Sequence, residues 1–488
     1  MIVSPFNQLN ENSTDKFLED MNKDDASWIL SNTFLILTMQ TGFGMLETGS
    51  VSHKNVANIM IKNCVDVTLG GLAFWIAGYA FAFGDPSRLF DGHTGFFFTP
   101  PGDAHTGTHY THYIFQFSFA STATTIVSGA VAERMKLKGY MLFSIFNTII
   151  YSFSAGWAWC ATGFLARLGF FDFAGGIVVH TCGGASALAA TIVLGPRSDR
   201  FRKDRTPDGL NSPTTALTGI FMLWWAFLGM NCGSTYGITD HRWIVAAKVS
   251  VITLNGSIGG GITGLVLSLI FKQGRIDITY VMVSIMSGIV SITAGCPILS
   301  PREAIVVGAI GASIALVAMH LLKRMQIDDP VGAIPVHLFG SLWSATAVGL
   351  FGDDEFGYLG NIHGLMHKGG WRQLVVQWIG FTSIALWNAL FTVVAFLILK
   401  KCRLLRMSAN EERLGADWVE HNVCSATFGV KLDKALKDIN LDCDEVDLMI
   451  EKLVADLRMA VADSKIHQYK AKENGLLLEH DKEAKDVL

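Results

Sequence analysis

The chain has 488 residues, of which 50% are hydrophobic and 16% are charged, and its formal net charge is -4. A soluble globular domain carries about 25% charged residues, so this composition argues against a soluble protein and favours one that resides in lipid. The basic residues are spread along the chain, which excludes the concentrated basic face that binding to nucleic acid requires.

Apolar stretches long enough to cross a bilayer recur along the chain. A transmembrane helix needs about 20 apolar residues to span roughly 30 Å of hydrocarbon. Eleven such stretches are predicted, at residues 27–49, 57–83, 110–132, 139–159, 173–195, 213–234, 243–271, 278–297, 303–322, 331–351 and 374–399. Small residues are frequent within them, which permits close packing of helices. The predicted fold class is an all-α polytopic membrane protein with eleven transmembrane helices.

The distribution of Lys and Arg predicts how these helices are oriented. Loops rich in basic residues stay in the cytoplasm. The loops that follow odd-numbered spans hold most of them, including Arg134, Lys136 and Lys138 after the third span, whereas the second loop holds only Arg88. Because the number of spans is odd, we expect the N-terminus outside and the C-terminus in the cytoplasm.

Three regions are predicted from these boundaries. Residues 1–26 form an extracellular segment, residues 27–401 form the transmembrane domain, and residues 402–488 form a cytoplasmic tail. Within the tail, residues 431–459 have the pattern of an amphipathic helix. Asn12 begins an Asn-Ser-Thr triplet on the predicted outer side, which is either a glycosylation site or a chance match. No cleavable signal peptide is expected, because no basic start and apolar core precede the first span.

The chain contains an internal repeat. Residues 172–183 and 329–340 share the pattern DxxGxIxVHxxG, and six of the twelve positions are identical. The first copy opens the fifth predicted span and the second opens the tenth, so the two copies run in opposite directions. We therefore predict an inverted repeat of five plus five helices with an eleventh helix added. Inverted repeats place transport sites near the middle of the membrane.

Each copy of the repeat carries an aspartate and, eight residues later, a histidine: Asp172 with His180, and Asp329 with His337. Eight residues correspond to about 12 Å of helix, so both histidines are expected near the bilayer middle, facing each other. An ionisable residue at that depth is costly unless it faces a cavity or a partner, and imidazole exchanges protons near neutral pH. The pair is predicted to line a pore; a histidine held by a nearby hydroxyl is the structural alternative. The aspartates are predicted to cap their helices, and Asp172 to make the outer vestibule attractive to a cation.

Other ionisable residues also fall within predicted spans. Lys62 and Asp66 lie four residues apart on one helix face, which favours a neutralising pair. Glu47 in the first span and Lys248 in the seventh are expected either to pair or to face a polar cavity.

Several segments of the chain resemble the ammonium transporter (Amt) family. They are residues 42–55, 78–84, 129–134, the DFAG motif at 172–175, the Val-His pair at 179–180, and 411–421. The resemblance extends over residues 27–421 and implies eleven spans, a homotrimer and a location in the plasma membrane. It also implies ammonium or ammonia, with methylammonium as an analogue, as the transported species. No cofactor and no metal are expected.

The resemblance also implies roles for individual residues. Phe115 and Phe119 are similar to the phenylalanines that border and close the outer vestibule, Trp159 to the vestibule tryptophan, and Ser234 to the serine that hydrogen-bonds the cation. Trp159, Ser234 and Phe119 suit recruitment, because aromatic faces attract ammonium and a hydroxyl accepts its hydrogen bonds. Packing in the helix bundle is the alternative for the aromatic residues. Met230 stands where the family usually has a second gate phenylalanine, and a flexible thioether cannot stack as a rigid lid.

The predicted function is ammonium transport. Ammonium is expected to bind in the vestibule and to lose a proton, after which ammonia crosses a hydrophobic pore lined by His180 and His337, with or without a separate proton relay. A passive channel for ammonia or carbon dioxide and an ammonium sensor are the alternatives. A metalloenzyme is excluded, because the chain has no HExxH motif and neither histidine has a carboxylate at ligand spacing.

Overall fold

The computed structural model describes residues 21–84, 95–100, 102, 104–198, 200–202, 209–355 and 357–423. Within these ranges the secondary structure is helical, and the only β-type pairing is two isolated bridges. The Asn-Ser-Thr triplet at Asn12 and the predicted helix at 431–459 lie outside the described residues.

The helices follow one another with short connections. In chain order they are α1 (Lys23–Ser50), α2 (His53–Phe83), α3 (Thr106–Ala130), α4 (Leu137–Trp159), α5 (Phe164–Leu168), α6 (Val178–Leu194), α7 (Pro213–Gly233), α8 (Arg242–Phe271), α9 (Ile278–Thr293), α10 (Pro301–Arg324), α11 (Gly340–Phe351), α12 (Arg372–Lys401), α13 (Ala409–Leu414) and α14 (Ala416–His421). Two π-helical turns, Asp66–Gly70 and Phe74–Gly78, interrupt α2, and a third, Pro335–Phe339, leads into α11.

Seven helical stretches in the described part of the chain are long and apolar enough to cross a membrane. They are α1, α2, α4 together with α5, α7, α8, α10 and α12. The four other predicted spans coincide with α3, α6, α9 and α11, of which α6 and α9 are shorter apolar helices. The protein is therefore a multi-span membrane protein, and the count of eleven spans stays a prediction.

Glycines allow α8, α9 and α10 to approach at backbone distance. A methyl group on Gly308 of α10 would lie 2.0 Å from the carbonyl oxygen of Gly256 in α8, and one on Gly259 would lie 2.1 Å from the carbonyl oxygen of Ile305. On α9, a methyl group on Gly288 would lie 2.6 Å from the same Gly256 oxygen. Any larger side chain at these positions would push the helices apart, as expected for small-residue packing in membranes.

The two copies of the repeat have the same local structure. Asp172 accepts hydrogen bonds from the backbone N–H groups of the residues that open α6, and Asp329 does the same before the π-helical turn that leads into α11. Gly175 and Gly332 have φ angles of +83° and +78°, a left-handed conformation that favours glycine. The shared pattern therefore encodes one capping turn, used twice to start the histidine helices.

Residues after α12 fold back onto the ends of the earlier helices. The Asp417 carboxylate accepts hydrogen bonds from the backbone N–H groups of Ala57 (3.1 Å) and Asn58 (2.8 Å) near the start of α2. In return, Lys54 donates to the carbonyl oxygens of Glu412 (2.7 Å) and Arg413 (2.6 Å) at the end of α13. The tail segment up to α14 and the start of α2 thus cap each other.

Candidate functional site

His180 and His337 lie side by side in the middle of the helix bundle. Their Nδ1 atoms are 3.0 Å apart, and the two rings are nearly parallel, with centroids separated by 5.0 Å. The side chains are 0% and 3% exposed. The structure therefore brings together the two histidines that the repeat pairs in the sequence, although their part in conduction stays a prediction.

The hydrogen bond between the two Nδ1 atoms constrains the protons on both rings. A neutral imidazole has one N–H donor and one acceptor nitrogen, so one ring donates from Nδ1 and the other accepts at Nδ1. It follows that one Nε2 atom lacks a proton and the other carries one. The Nε2 atom of His180 is buried and has no hydrogen-bond partner among the described residues. Of the two outer Nε2 atoms, one is therefore an acceptor and the other a donor. If both rings change tautomer, the acceptor Nε2 becomes the donor and the donor becomes the acceptor.

Aromatic side chains cover both histidines. Phe227 of α7 stacks on the His180 ring with a centroid distance of 5.6 Å, and Phe43 of α1 packs against His337 at 5.9 Å. Both phenylalanines are buried. The hydrogen-bonded pair is therefore held between hydrocarbon surfaces, where an ion would lose its hydration without replacement.

Four of the predicted vestibule and gate residues are close together near the start of α6. Phe119 contacts Phe115 at a centroid distance of 4.9 Å and meets Trp159 edge to face at 5.8 Å. A methyl group on Gly175 would lie 3.3 Å from both Phe119 and Met230. All four of these large side chains are buried, so the gate and recruitment residues form one apolar group beside the turn that Asp172 caps.

Hydrogen bonds set the orientation of Trp159 and of Ser234, the remaining predicted recruitment residue. The indole N–H of Trp159 donates to the carbonyl oxygen of Asp172 at 2.8 Å, so the N–H edge of the ring faces the turn before α6. The Ser234 hydroxyl donates to the carbonyl oxygen of Met230 at 2.8 Å. A hydroxyl that has donated its proton keeps lone pairs for accepting, so Ser234 can still accept a hydrogen bond from a cation.

A polar group that the sequence did not point to lies next to the predicted gate residues. Gln116 donates to the Tyr236 hydroxyl, and Tyr236 contacts Phe115 at 5.1 Å and stacks on His112 at 5.9 Å. The His112 Nδ1 atom is 2.8 Å from the hydroxyl of Tyr79. A signal was available, since His112, Phe115, Gln116 and Phe119 recur at helical spacing on one face of α3.

The predicted Lys62–Asp66 pair is wrong as a direct contact. Asp66 accepts hydrogen bonds from the hydroxyls of Tyr140 (2.7 Å), Ser144 (2.7 Å) and Thr125 (3.0 Å), while Lys62 donates to a backbone carbonyl oxygen. The hydroxyl groups of neighbouring helices lie closer to the Asp66 carboxylate than the Lys62 ammonium group does.

The two other ionisable candidates both have partners. Glu47 is buried and accepts hydrogen bonds from Ser128 (2.5 Å) and Asn63 (2.7 Å). Lys248 lies 3.6 Å from the carboxylate of Glu355. Of the two outcomes predicted for each residue, Lys248 forms an ion pair and Glu47 forms hydrogen bonds to neutral groups.

A cavity of about 800 Å³ opens at the end of the bundle that carries the basic loops. Its lining includes Asp329, Pro335 and Lys323, so it reaches the start of the segment that holds His337. Asp328, next to Asp329, is 2.8 Å from Arg197. Burial alone would raise the pKa of Asp328, but hydrogen bonds and charge from Arg197 outweigh it and hold that pKa well below its usual range.

Among the described residues, no group of three or more His, Cys, Asp or Glu side chains is arranged to hold a metal ion.

Comparison with known proteins gives matches over most of the chain. The model of the Ammonium Transporter Family matches residues 27–425. A Caenorhabditis elegans protein provisionally named ammonium transporter 3 is 41% identical over 428 residues, covering 85% of this chain and 62% of that relative. This chain thus spans less than two thirds of that relative's length. Ammonium transporter 3 of Dictyostelium discoideum is 34% identical, covering 83% of this chain and 94% of that protein.

A solved structure has the same fold. The structure titled Sensor Amt Protein superimposes with a TM-score of 0.73 at 31% sequence identity, covering 82% of this chain and 98% of that one. The family model, the relatives and the solved structure each cover more than four fifths of the chain. This chain belongs to the ammonium transporter family and is not an enzyme.

Proposed function

We propose that this protein transports ammonium across a membrane, recruiting NH4+ at the vestibule around Trp159 and conducting NH3 past His180 and His337. The observation that carries the proposal is the buried hydrogen bond between the two histidines, covered by phenylalanines on both sides. Membership of the ammonium transporter family supports ammonium as the substrate.

Recruitment rests on two weak attractions. Ammonium has four donors, and the faces of Trp159 and Phe119 attract a cation with about 1 to 2 kcal/mol in a partly dry site. Ser234 accepts one of the four hydrogen bonds. Attraction of this size concentrates ammonium without trapping it, and Asp172 adds negative charge beneath the vestibule.

Selectivity then follows from the need to shed charge. The passage beyond Phe115, Phe119 and Met230 is apolar, so an ion entering it pays a large desolvation penalty. Ammonium avoids that penalty by releasing a proton, whereas sodium and potassium cannot. Neutral ammonia meets the free Nε2 of His180, and the histidine pair passes a proton along its hydrogen bond if the proton follows the same route.

The wider architecture is part of the proposal. Eleven spans place residues 1–26 outside and residues 402–488 in the cytoplasm, with residues 27–401 as the transmembrane domain of a homotrimer in the plasma membrane. The basic loops at the end of the bundle near the large cavity support this orientation.

The test is current in voltage-clamped cells that express the protein, on addition of ammonium and then methylammonium. His180→Ala and His337→Ala are compared with Phe221→Ala, a control at an exposed position, at equal surface expression. Saturable inward current that is lost in the histidine variants supports electrogenic transport. Ammonia uptake without current means a passive channel, and the absence of both contradicts the proposal.

A sensor is the second candidate, because a solved structure that is 31% identical to this chain has the word sensor in its title. The region beyond residue 423 would then carry the signal. Deleting residues 424–488 would abolish a cellular response to ammonium and leave the current unchanged if the protein signals.

A further inference from the structure

Two histidines and two carboxylates meet at the end of the bundle opposite the basic cavity. The Nδ1 atom of His363 is 2.9 Å from Asp353, and the Nδ1 and Nε2 atoms of His367 are 3.4 Å from Asp353 and 2.7 Å from Glu303. We call Glu303, Asp353, His363 and His367 the outer clasp. The α10 helix begins next to Glu303 and reaches the cavity with Lys323 at its other end, so the distribution of basic residues predicts that the clasp faces the outside.

His367 is placed for its protonated form. Both of its ring nitrogens face carboxylate oxygens, and a carboxylate only accepts hydrogen bonds. A neutral imidazole has one N–H and satisfies one of the two carboxylates, while its other nitrogen points a lone pair at negative charge. An imidazolium ion keeps the hydrogen bond from Nε2 to Glu303, now charge-assisted, and places its positive charge 3.4 Å from Asp353 instead of a lone pair.

The balance of charge within the clasp leads to the same conclusion. Glu303 and Asp353 carry two negative charges, and two protonated histidines neutralise them. His363 and His367 have side chains that are 41% and 32% exposed, so protons from the surrounding solution reach them. Imidazole is the side chain whose charge responds to pH in the physiological range, so histidines facing carboxylates give the clasp a charge balance that depends on external protons.

The remaining charged groups around the clasp are already engaged or lie at the surface. Asp354 is buried and accepts the backbone N–H groups of residues 358, 359 and 361, and Glu355 pairs with Lys248 on α8. Arg302 and Lys368, the sequence neighbours of Glu303 and His367, are exposed. His241 at the start of α8 is a third histidine at the contact between segment 357–369 and the helices, where it stacks on Tyr358 and does not face a carboxylate of the clasp.

The clasp joins several parts of the fold. Glu303 belongs to the first turn of α10 and also caps it through the backbone N–H of Ser300. Asp353 follows α11, the helix that continues from His337, and its backbone N–H donates to the carbonyl oxygen of Ile298, between α9 and α10, at 2.7 Å. On the other side, His241 of the α8 start stacks on Tyr358 at 4.8 Å.

We propose that the outer clasp is a proton-binding site that fastens segment 357–369 to α10 and α11 at acidic external pH and releases it as the pH rises. The proton comes from the external solution and binds the lone pair of His367 that faces a carboxylate. The clasp thereby ties the outer end of the His337 segment to external acidity.

The test is hydrogen–deuterium exchange of the purified full-length protein in lipid nanodiscs at pH 5.5 and pH 8.0, corrected for intrinsic exchange rates. We expect backbone amides of segment 357–369 to exchange about tenfold more slowly at pH 5.5, the factor that one charge-assisted hydrogen bond contributes. Equal protection of the wild-type protein at the two pH values would overturn the proposal.

Variants separate the clasp from general effects of pH. His367→Gln provides one donor at every pH and leaves only His363 beside Asp353, so we expect the pH difference in the exchange of segment 357–369 to shrink at least severalfold. His53→Gln, an exposed histidine at the opposite end of the bundle, should keep the wild-type response. Retention of the full pH response in His367→Gln would contradict the assignment. Exchange is measured without ammonium, so the result is independent of the proposed transport function.

Discussion

Met230 is fully buried and lies beside Phe119 and Gly175. The Ser234 hydroxyl donates a hydrogen bond to the carbonyl oxygen of Met230. An unbranched thioether changes rotamer easily, so the space above Gly175 is closed by a side chain that can move aside. A phenylalanine at this position would present a stiff ring.

We expect Met230→Phe to lower methylammonium flux relative to ammonium flux by about tenfold, a ratio typical when a pocket excludes one extra methyl group. Currents or uptake of the two cations at matched surface expression measure it. Met230→Leu, which keeps an aliphatic side chain of similar volume, is the control and should keep the wild-type ratio. An unchanged ratio in Met230→Phe would mean that this position does not select by size.

Asp172 stabilises the start of α6 through a set of short hydrogen bonds. Its carboxylate accepts the N–H groups of Gly175, Ile177 and Val178 at 2.9, 2.8 and 2.6 Å. Asp172→Ala should therefore lower the free energy of unfolding by about 2 kcal/mol, read as a lower thermal midpoint in detergent. Asp24→Ala, at an exposed position in the first turn of α1, should shift the midpoint much less. Equal shifts would argue against a capping role.

At the scale of elements, contacts at the basic end of the bundle connect segments that are far apart in sequence. Arg134 is fully buried and donates to the carbonyl oxygens of Ala132, Gly195 and Asp328. It thereby gathers the ends of α3 and α6 with the segment before His337. These chain ends carry unpaired carbonyl oxygens, and one guanidinium satisfies three of them.

Asp328 gives this cluster a defined pH dependence. Its pKa is depressed in the folded protein by Arg197, so its stabilising effect is present above the unfolded pKa of about 4 and is lost as the pH falls below it. The difference in thermal midpoint between the wild-type protein and Asp328→Asn should therefore be constant from pH 5.5 to 7.5. It should shrink only below about pH 4. A difference that changes near neutral pH would show that another group titrates.

The capping contact between α14 and α2 makes a prediction for the tail. Asp417→Ala removes the acceptor for two N–H groups in the first turn of α2, and we expect those amides to exchange hydrogen about fivefold faster, in line with the loss of one helix cap. Glu411→Ala removes a carboxylate that caps only its own helix and should leave α2 unchanged. Loss of protection throughout the protein in Asp417→Ala would contradict a local capping role.

At the scale of the whole molecule, apolar side chains cover much of the outer surface. Phe221 and Trp225 on α7 are 65% and 63% exposed. In α8 and in α12, only 33% of the most apolar 18-residue stretch of the helix is buried. A water-soluble protein would not expose so much apolar surface. These faces suit contact with lipid or with further subunits.

The orientation of the molecule can be tested with tags at its two ends. If eleven spans place the N-terminus outside, an N-terminal epitope is labelled on intact cells and a C-terminal epitope only after permeabilisation. A matched pair with both tags on the same side would contradict an odd number of spans. This measurement tests the predicted count of eleven spans. Seven of them are long apolar helices, and the other four are shorter or more polar.

Much of the fold followed from local sequence features. Apolar runs of membrane-spanning length are visible without any partner, because each helix satisfies its own backbone hydrogen bonds in lipid. The repeat was equally informative, since Asp172 and Gly175 form the same capping turn as Asp329 and Gly332. Such turns need only residues a few positions apart, so a pattern in the sequence contains all of their parts.

Only the tertiary structure decided which side chains meet across helices. The sequence by itself determined an all-helical membrane protein with two histidines placed symmetrically in its repeat. The structure adds the contact between the two Nδ1 atoms and the phenylalanines, Phe43 and Phe227, that cover the pair. It also shows that hydroxyl groups from neighbouring helices, and not Lys62, bind the Asp66 carboxylate. Packing in three dimensions brings these residues together from distant positions, and no local spacing records which neighbour a helix will have.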